Sequence, residues 1–438
     1  MKTLRIVALC ALAVLVLARA ARAAETLTLE QAVLRALENN PTMQAARAEL
    51  AGAQYGRQAA MGSFGPSLST GYSFTERDHA KPKRQLATSE RQVWAWNFNA
   101  HQDLFTGFRL LSTYEKAALT QESAATKIRS AELSLVQSVQ QNFLSLLKAR
   151  ADVKSGEDSV TRLKEQLKVT QAFYDVGLKP RLDVLRAQTD LASAENTLLQ
   201  ARSAVSTQVA RLNTLLGMDL DADVDYAGQL EYLPFTMGMD EALGSALKNR
   251  PDLDIAEKSV EIARKDKKIT DSAFYPSLGA DYDQSRQGDN PHVDGSPLMK
   301  TEWNEWSMGV SASWKFFEWG KTLNESQKAA QTIVQMEAER RNLVQEATYE
   351  VKASHLKIGE AADRISVTRA ALDQAREAYR MAVARYQAQV GTNSDVLDSQ
   401  AQLTRAEADL TQAMADYQLA LANLYVSIGN KNPGLMVN

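Results

Sequence analysis

Four short stretches of the chain alternate between apolar and polar positions with a period of two, and the segments around them follow helical spacing. From Leu29 to about Met61 the pattern is helical and rich in alanine. It is opened by Thr28 with Gln31 three positions on, the spacing of a capping box. Pro66 ends that pattern. Leu68, Thr70, Tyr72 and Phe74 then alternate with Ser67, Ser69, Gly71 and Ser73, which predicts a strand. A polar stretch from Glu76 to Arg91 follows. Beyond it Trp94, Trp96 and Phe98 face one way, and Asn97, Asn99, His101 and Asp103 the other. Farther on, Leu278, Ala280 and Tyr282 oppose Gly279, Asp281 and Asp283. Trp306, Met308, Val310, Ala312, Trp314 and Phe316 oppose Ser307, Gly309, Ser311, Ser313 and Lys315.

After Phe105 and Phe317 the helical pattern returns and runs long. Between Phe108 and Tyr174 there is no proline and one internal glycine, Gly156. Some 67 residues there predict one helix of about 100 Å at 1.5 Å per residue. The segment that follows is a heptad. Val184, Ala187, Leu191, Ala194, Leu198, Ala201, Val205, Leu212 and Leu215 are spaced by fours and threes, with Gln208 interrupting once. A second series runs Val396, Ser399, Leu403, Ala406, Leu410, Ala413, Tyr417, Ala420 and Leu424. A sustained 3.5-residue period predicts supercoiled packing against neighbouring helices, and the alanines allow close approach. The return helix and the first helix of each half, stacked end to end, would match the long outgoing helix.

The order of these patterns is written twice. Ala32, Pro41, Pro66, Ser67, Leu68 and Tyr72 recur 210 positions later as Ala242, Pro251, Pro276, Ser277, Leu278 and Tyr282. Phe105, Asp183-Val184-Leu185, Gln188, Leu191, Ala194-Glu195, Leu198 and Gly217 recur 212 positions later, from Phe317 through Asp395-Val396-Leu397 to Gly429. The expected organisation is therefore two tandem repeats, residues 24–217 and 239–429, joined by a linker at 218–238 and ending in a short tail at 430–438. The linker is expected to join a belt around the helices.

Composition changes the picture mainly through compartment. Lys2 and Arg5 precede an apolar run from Ile6 to Ala18, which ends at Ala21-Arg22-Ala23; this predicts a secretory signal peptide over residues 1–23. At 13 residues the run is short for a membrane span. The only cysteine, Cys10, lies inside it behind Leu9, so neither a lipid anchor nor disulfides are expected. No second long apolar stretch follows, so any membrane-spanning part must be a β-barrel. Formal charge is −3, with no block of like charge and no case for nucleic acid. The four histidines lack metal-ligand spacing. Gly320-Lys321-Thr322 is no phosphate loop, because Lys315 stands where a glycine is required. Neither metal nor cofactor is expected.

In a secreted chain the strand faces suit a transmembrane barrel, with Tyr72, Trp94, Trp96, Phe98, Trp306 and Trp314 toward lipid. The alternative is a small soluble sheet packed on the helices. Four strands cannot close alone, and open edges are not tolerated in lipid. Two copies would fill the barrel with side chains; three give twelve strands and leave a hole. A conduit therefore predicts a trimer.

The chain resembles the TolC-like outer membrane efflux family over nearly all of its length after the leader. The features that carry the resemblance are the duplication, the Asn40-Pro41 and Arg250-Pro251 breaks, and Pro66-Ser67-Leu68 and Pro276-Ser277-Leu278 leading into strands. Leu104-Phe105-Thr106-Gly107 and Phe316-Phe317-Glu318-Trp319-Gly320 lead out, and Asp-Val-Leu opens both return helices. The resemblance implies a mostly α-helical fold with a small β part. It implies a homotrimer with a twelve-stranded barrel in the outer membrane of a Gram-negative-type cell and a twelve-helix tunnel across the periplasm. It further implies a periplasmic adaptor and an inner-membrane pump or ABC transporter of a type I secretion system as partners. No enzymatic activity is expected of such an exit duct.

Two turns become the tips that would meet the adaptor: Gly177, Leu178, Lys179 and Pro180 in one half, Val390, Gly391, Thr392 and Asn393 in the other. Asp395 and Asp398, one helical turn apart, are the position-matched pair for a periplasmic gate. Six carboxylates around a narrow mouth would favour cations and repel one another. An aspartate at a helix start also simply caps it, and Asp183 repeats Asp395 in the first half. Asp398 has no such counterpart, because Arg186 stands at the matching position. Gly391 stands where the family often carries a basic residue. Two other classes compete with the duct. One is a periplasmic coiled-coil scaffold or adaptor without a pore; the other is a secreted hydrolase, for which no nucleophile–base or metal motif is visible.

Overall fold

The computed structural model describes residues 25–76, 92–288, 290–293 and 303–431. The signal peptide expected at 1–23, the Lys81-to-Arg84 run, most of 289–302 and the tail from 432 lie outside them. Eight helices are described: α1 (Leu29–Asn39), α2 (Pro41–Gly62), α3 (Arg109–Asp175), α4 (Arg181–Leu215), α5 (Met239–Asn249), α6 (Pro251–Asp271), α7 (Lys321–Gln387) and α8 (Asn393–Ser427). The strands are β1 (Glu25–Leu27), β2 (Ser67–Glu76), β3 (Gln92–Phe105), β4 (Val224–Tyr226), β5 (Ser277–Gly288) and β6 (Trp303–Ser313). The chain is mostly helical with a small sheet. The halves match in element length: α1 and α5 have 11 residues each, α3 and α7 have 67, α4 and α8 have 35.

The chain divides into two compact units. One holds Arg47–Lys127 and Asp252–Leu343, and with them a four-stranded antiparallel sheet of order β2-β3-β5-β6. Register puts Tyr72 opposite Trp96, Phe74 opposite Trp94, Phe98 opposite Gln284 and Tyr282 opposite Met308. Because direct partners share a face, Tyr72, Phe74, Trp94, Trp96, Phe98, Tyr282, Trp306, Met308 and Val310 form one apolar face. Asn97, Asn99, His101, Asp281 and Asp283 lie on the other. There Asn99 Nδ2 donates to Asp283 at 2.8 Å, and His101 lies 2.6 Å from Asp281. Among the described residues nothing covers the β6 part of this face, where Trp306 is 67% and Met308 75% exposed, while Trp94, Trp96 and Phe98 are half-buried. Gln284 and Arg286 interrupt it at its far end, where sequence alternation fades. Trp314, expected on the strand, lies one residue past β6. There its ring N–H donates to the Phe274 carbonyl at 3.1 Å.

The other unit holds the residues up to Ala46, Ile128–Pro251 and those from Val344. The expected capping box is present: Thr28 Oγ1 accepts from the Gln31 N–H, and the Gln31 side chain from the Thr28 N–H. The single first helix expected from Leu29 to Met61 is two. Asn40 takes an extended conformation before Pro41, as the proline ring demands. Asn40 then joins three helices, its Oδ1 accepting from the Thr42 N–H and its Nδ2 donating to the Leu215 carbonyl at 2.8 Å. In the second half Arg250 reaches the Ser427 carbonyl and Glu350. So α4 ends on the α1–α2 junction, and α8 on the α5–α6 junction.

A parallel pairing of β1 with β4 was not visible in the sequence. Three residues are too few for periodicity to register. Arg150 fixes the pair, donating to the Tyr226 carbonyl and to Asp225. Two separate apolar clusters fill this unit. One gathers Val139, Phe143, Leu146, Leu212 and Tyr226 with α1; the other gathers Val351, Ile358, Tyr417 and Leu424 with α5. Of the heptad positions, Val184, Ala187, Leu198 and Leu212 are buried in α4, and Val396, Ser399, Leu403, Ala413, Tyr417, Ala420 and Leu424 in α8.

Candidate functional site

The two tip turns end their long helices by the same hydrogen bonds with different residues. After α3, the Gly177 N–H reaches the Tyr174 carbonyl and the Leu178 N–H the Phe173 carbonyl, with Gly177 at φ +75. That is a Schellman ending, in which glycine is the residue of choice. After α7, Gln389 bonds Tyr386 and Val390 bonds Arg385, but the left-handed position is Gln389 at φ +60. Gly391 lies two residues beyond, and a Cβ there would meet Arg385 Cβ at 3.1 Å. Gln389→Gly is expected to relieve about 1 kcal/mol of backbone strain. Exchange of the Val390 amide should then slow about fivefold; an unchanged rate would mean that Gln389 carries no strain.

The expected contact residues separate into two groups. Gly177, Leu178, Pro180, Val390 and Thr392 are exposed, and Lys179 lies half-buried with its Nζ 5.3 Å above the Tyr386 ring. Asn393 is different, and the expectation that it presents itself to an adaptor is corrected. It is 1% exposed and its side chain is spent inside the chain. Its Oδ1 accepts from Gln166 Nε2 at 2.8 Å and Thr170 Oγ1 at 3.3 Å; its Nδ2 donates to the Asp183 carbonyl at 3.1 Å. The Tyr386 hydroxyl donates to Thr170 at 3.2 Å, and burial raises the Tyr386 pKa. One asparagine thus ties α3, α4 and α8 together.

Asp395 and Asp398 are both exposed on the first turns of α8. Asp395 completes a capping box: its carboxylate accepts from the Thr392 N–H at 3.0 Å while its own N–H donates to Thr392 Oγ1 at 3.1 Å. Those bonds to Thr392 hold its pKa below the usual carboxylate value. Asp398 has a neighbour that the sequence did not single out. Asp190 of α4 has a raised pKa, first because it is partly desolvated and second because Asp398 is close. A basic group does reach the start of α8, from the other half: Arg186 donates to Ser394 Oγ at 3.0 Å. Among the described residues no cluster of three or more acidic, histidine or cysteine side chains is arranged to hold a metal.

The two shifts act in opposite directions with pH. Asp190 penalises the packed tip while ionised; the penalty is lifted as pH falls through its raised pKa and is gone below 3.8. Asp395 contributes fully above 3.8, and its contribution is lost as pH falls through its lowered pKa. Tip stability should therefore rise on mild acidification toward 3.8 and fall below it. Hydrogen exchange of the α8 first turn against pH checks this; the rise should vanish in Asp190→Asn, and its persistence there would refute the assignment.

The model of a family described as outer membrane efflux protein matches residues 32–218 and 242–430. The alkaline protease secretion protein AprF of Pseudomonas aeruginosa is 24% identical over 376 residues, covering 84% of this chain and 77% of its own. The outer membrane efflux protein BepC of Brucella suis is 22% identical over 389 residues, 87% of this chain and 81% of its own. The solved outer membrane protein VceC of Vibrio cholerae shares the fold, with a TM-score of 0.79 at 19% identity over 92% of this chain and 96% of that one.

Proposed function

Because this chain belongs to the outer membrane efflux protein family, a family of outer-membrane efflux and secretion channels, we propose that it is a passive exit duct. Three copies close a single twelve-stranded barrel over a helical tunnel through which substrates leave the periplasm. In this reading the two halves are tandem copies of one unit, with a linker at 218–238. The observation that carries the proposal is the sheet. Tyr72, Phe74, Trp306, Met308 and Val310 of its apolar face are exposed, and its edges, β2 and β6, are unpaired among the described residues. In water each large apolar side chain left exposed forgoes about 1.5–3 kcal/mol of burial, and an open edge invites pairing. A lipid-facing barrel closed edge to edge removes both costs. The soluble-sheet alternative would need a cover, and the described residues provide none for Trp306, Met308 and Val310.

The periplasmic mouth is assigned to the first turns of α8, with Asp398 as the gate carboxylate and Asp190 beside it. Asp395, already committed to the cap, is the weaker candidate. The exposed tip residues Leu178, Lys179, Pro180, Val390 and Thr392 are the proposed adaptor contacts, with an inner-membrane pump or ABC transporter behind the adaptor. The relatives' names divide between protease secretion and efflux, so either class of cargo is open to this chain. Native mass spectrometry in detergent should find three chains, and brominated lipid should quench Trp306. A monomer whose tryptophans lipid does not quench would overturn the proposal.

A further inference from the structure

The strand-to-helix crossings of the two halves share a backbone and differ in the side chains they carry. At the 212-residue offset that matches Phe105 with Phe317, Gln102, Asp103 and Gly107 correspond to Trp314, Lys315 and Trp319. Both crossings place two consecutive residues in the left-handed region: Gly107 and Phe108 at φ +63 and +68, Trp319 and Gly320 at φ +52 and +79. The first crossing is closed. A Cβ on Gly107 would meet the Ser272 carbonyl oxygen at 2.6 Å, and the Phe108 ring packs edge-on against Tyr275 with centroids 6.2 Å apart. The second is open. Trp319 is 89% exposed, and Phe316 and Phe317 beside it are exposed too. A tryptophan thus holds a left-handed backbone that its counterpart meets with glycine, and strain of this kind tends to be retained at functional positions.

Next to this crossing, at the start of α7, lies a cavity of about 230 Å³. It is lined by Phe274, Trp314, Phe316 and Phe317 together with Lys315 and Glu318, and the Trp319 ring rests against Phe317 at 5.0 Å. That volume is below the roughly 300–1,000 Å³ of pockets for drug-sized ligands. Its two charges are not spent on each other. Among the described residues Lys315 makes no ion pair, and the Glu318 carboxylate accepts from Thr322 Oγ1 at 2.9 Å. One cation, one anion and an aromatic wall suit a small zwitterion carried on an apolar tail. A phosphate pairs with Lys315, a primary ammonium with Glu318 and the ring faces, and acyl chains continue along the exposed apolar side chains of β6, which ends one residue before Trp314. In the barrel reading above, on which this inference rests, the crossing stands at headgroup level, where tryptophan and lysine anchor membrane proteins. We propose that the cavity binds the phosphoethanolamine headgroup of a phospholipid in the leaflet nearer α7, with Lys315 and Glu318 reading its two charges.

Native mass spectrometry of the full chain in detergent, titrated with dioleoyl phosphatidylethanolamine or dioleoyl phosphatidylglycerol, tests this. Wild type should hold one phosphatidylethanolamine per chain and take up phosphatidylglycerol more weakly. Lys315→Asp, which supplies the first half's residue at the matching position, should weaken uptake of both lipids about tenfold, while Lys315→Arg should keep it. Glu318→Gln should abolish the preference between the two lipids. Lys315 is exposed, so its substitutions should leave oligomer mass and melting temperature unchanged. Quenching of Trp306 by brominated lipid separates this inference from the reading beneath it. If Trp306 is quenched but Lys315→Asp binds phosphatidylethanolamine as wild type does, or wild type does not distinguish the lipids, the inference is overturned. A trimer that takes up neither lipid would mean that a neighbouring copy fills the cavity, which overturns it as well. If Trp306 is not quenched, the barrel reading has failed and the site faces no membrane.

Discussion

Asn393→Ala is expected to leave the tip of α8 detached and the channel persistently open. The substitution removes the acceptor of Gln166 and Thr170 and the donor to the Asp183 carbonyl in one step. Gln166 is 6% exposed and Thr170 fully buried, so water cannot replace the lost partner without the helices separating. Leaving buried polar groups unmet costs about 1–3 kcal/mol each, so a shift of about 3 kcal/mol toward separation is expected, more than a hundredfold in the equilibrium. Conductance should rise by at least an order of magnitude, while the melting temperature of the sheet-bearing unit stays put. Asn393→Asp adds a sharper check. It keeps the acceptor but loses the donor and sets a charge in a buried site. Its closure should therefore be restored in part on acidification. An Asn393→Ala channel with wild-type conductance would show that the asparagine is a helix-start residue and nothing more.

Gly429→Ala should be the most damaging single methyl group in the chain. Gly429 follows α8 at φ +75, and a Cβ there would sit 2.6 Å from both the carbonyl carbon and oxygen of Asn249 and 2.8 Å from the Arg250 nitrogen. All three are backbone, so no rotamer can make room. The left-handed conformation costs an alanine about 1 kcal/mol by itself, and displacing the α5–α6 junction adds to it, for about 3 kcal/mol or more in all. The junction carries the Arg250 contacts to Ser427 and Glu350, so those should break with it. Folded yield and thermal melts read this out. Gly217→Ala, whose nearest contact is 2.9 Å, should do the same more mildly. A Gly429→Ala protein as stable as wild type would mean that the stacked helix ends carry little of the fold's stability.

Much of this architecture could be read from the chain because its signals are long. A heptad sustained through Leu198 and Leu212, or Leu403 and Leu424, leaves little choice but packed helices. Strict alternation through Trp94, Trp96 and Phe98 fixes which face of β3 is apolar. The matching of Gly217 with Gly429 marks both places where a helix ends on another's junction. What escaped was short or depended on partners distant in sequence. The β1–β4 pair spans three residues on each side. Gln389 looks unremarkable until its left-handed backbone is seen, and Gly391 nearby draws attention away from it. Asn393 reads as an ordinary polar residue at a helix start; only Gln166 and Thr170, more than 200 positions away, make it a hub. Asp190 acquires interest only from Asp398 across two helices. Trp314 illustrates the opposite error, since its alternation continues past the point where the strand has ended.

We propose that this chain conducts through a mouth controlled at the start of α8. Single-channel recording of the purified protein in planar bilayers, wild type beside Asp398→Ala, tests it most directly. Small cation-selective openings that enlarge and lose selectivity in Asp398→Ala are the predicted result. Silent bilayers from well-folded protein that salt alone extracts from membranes would contradict it.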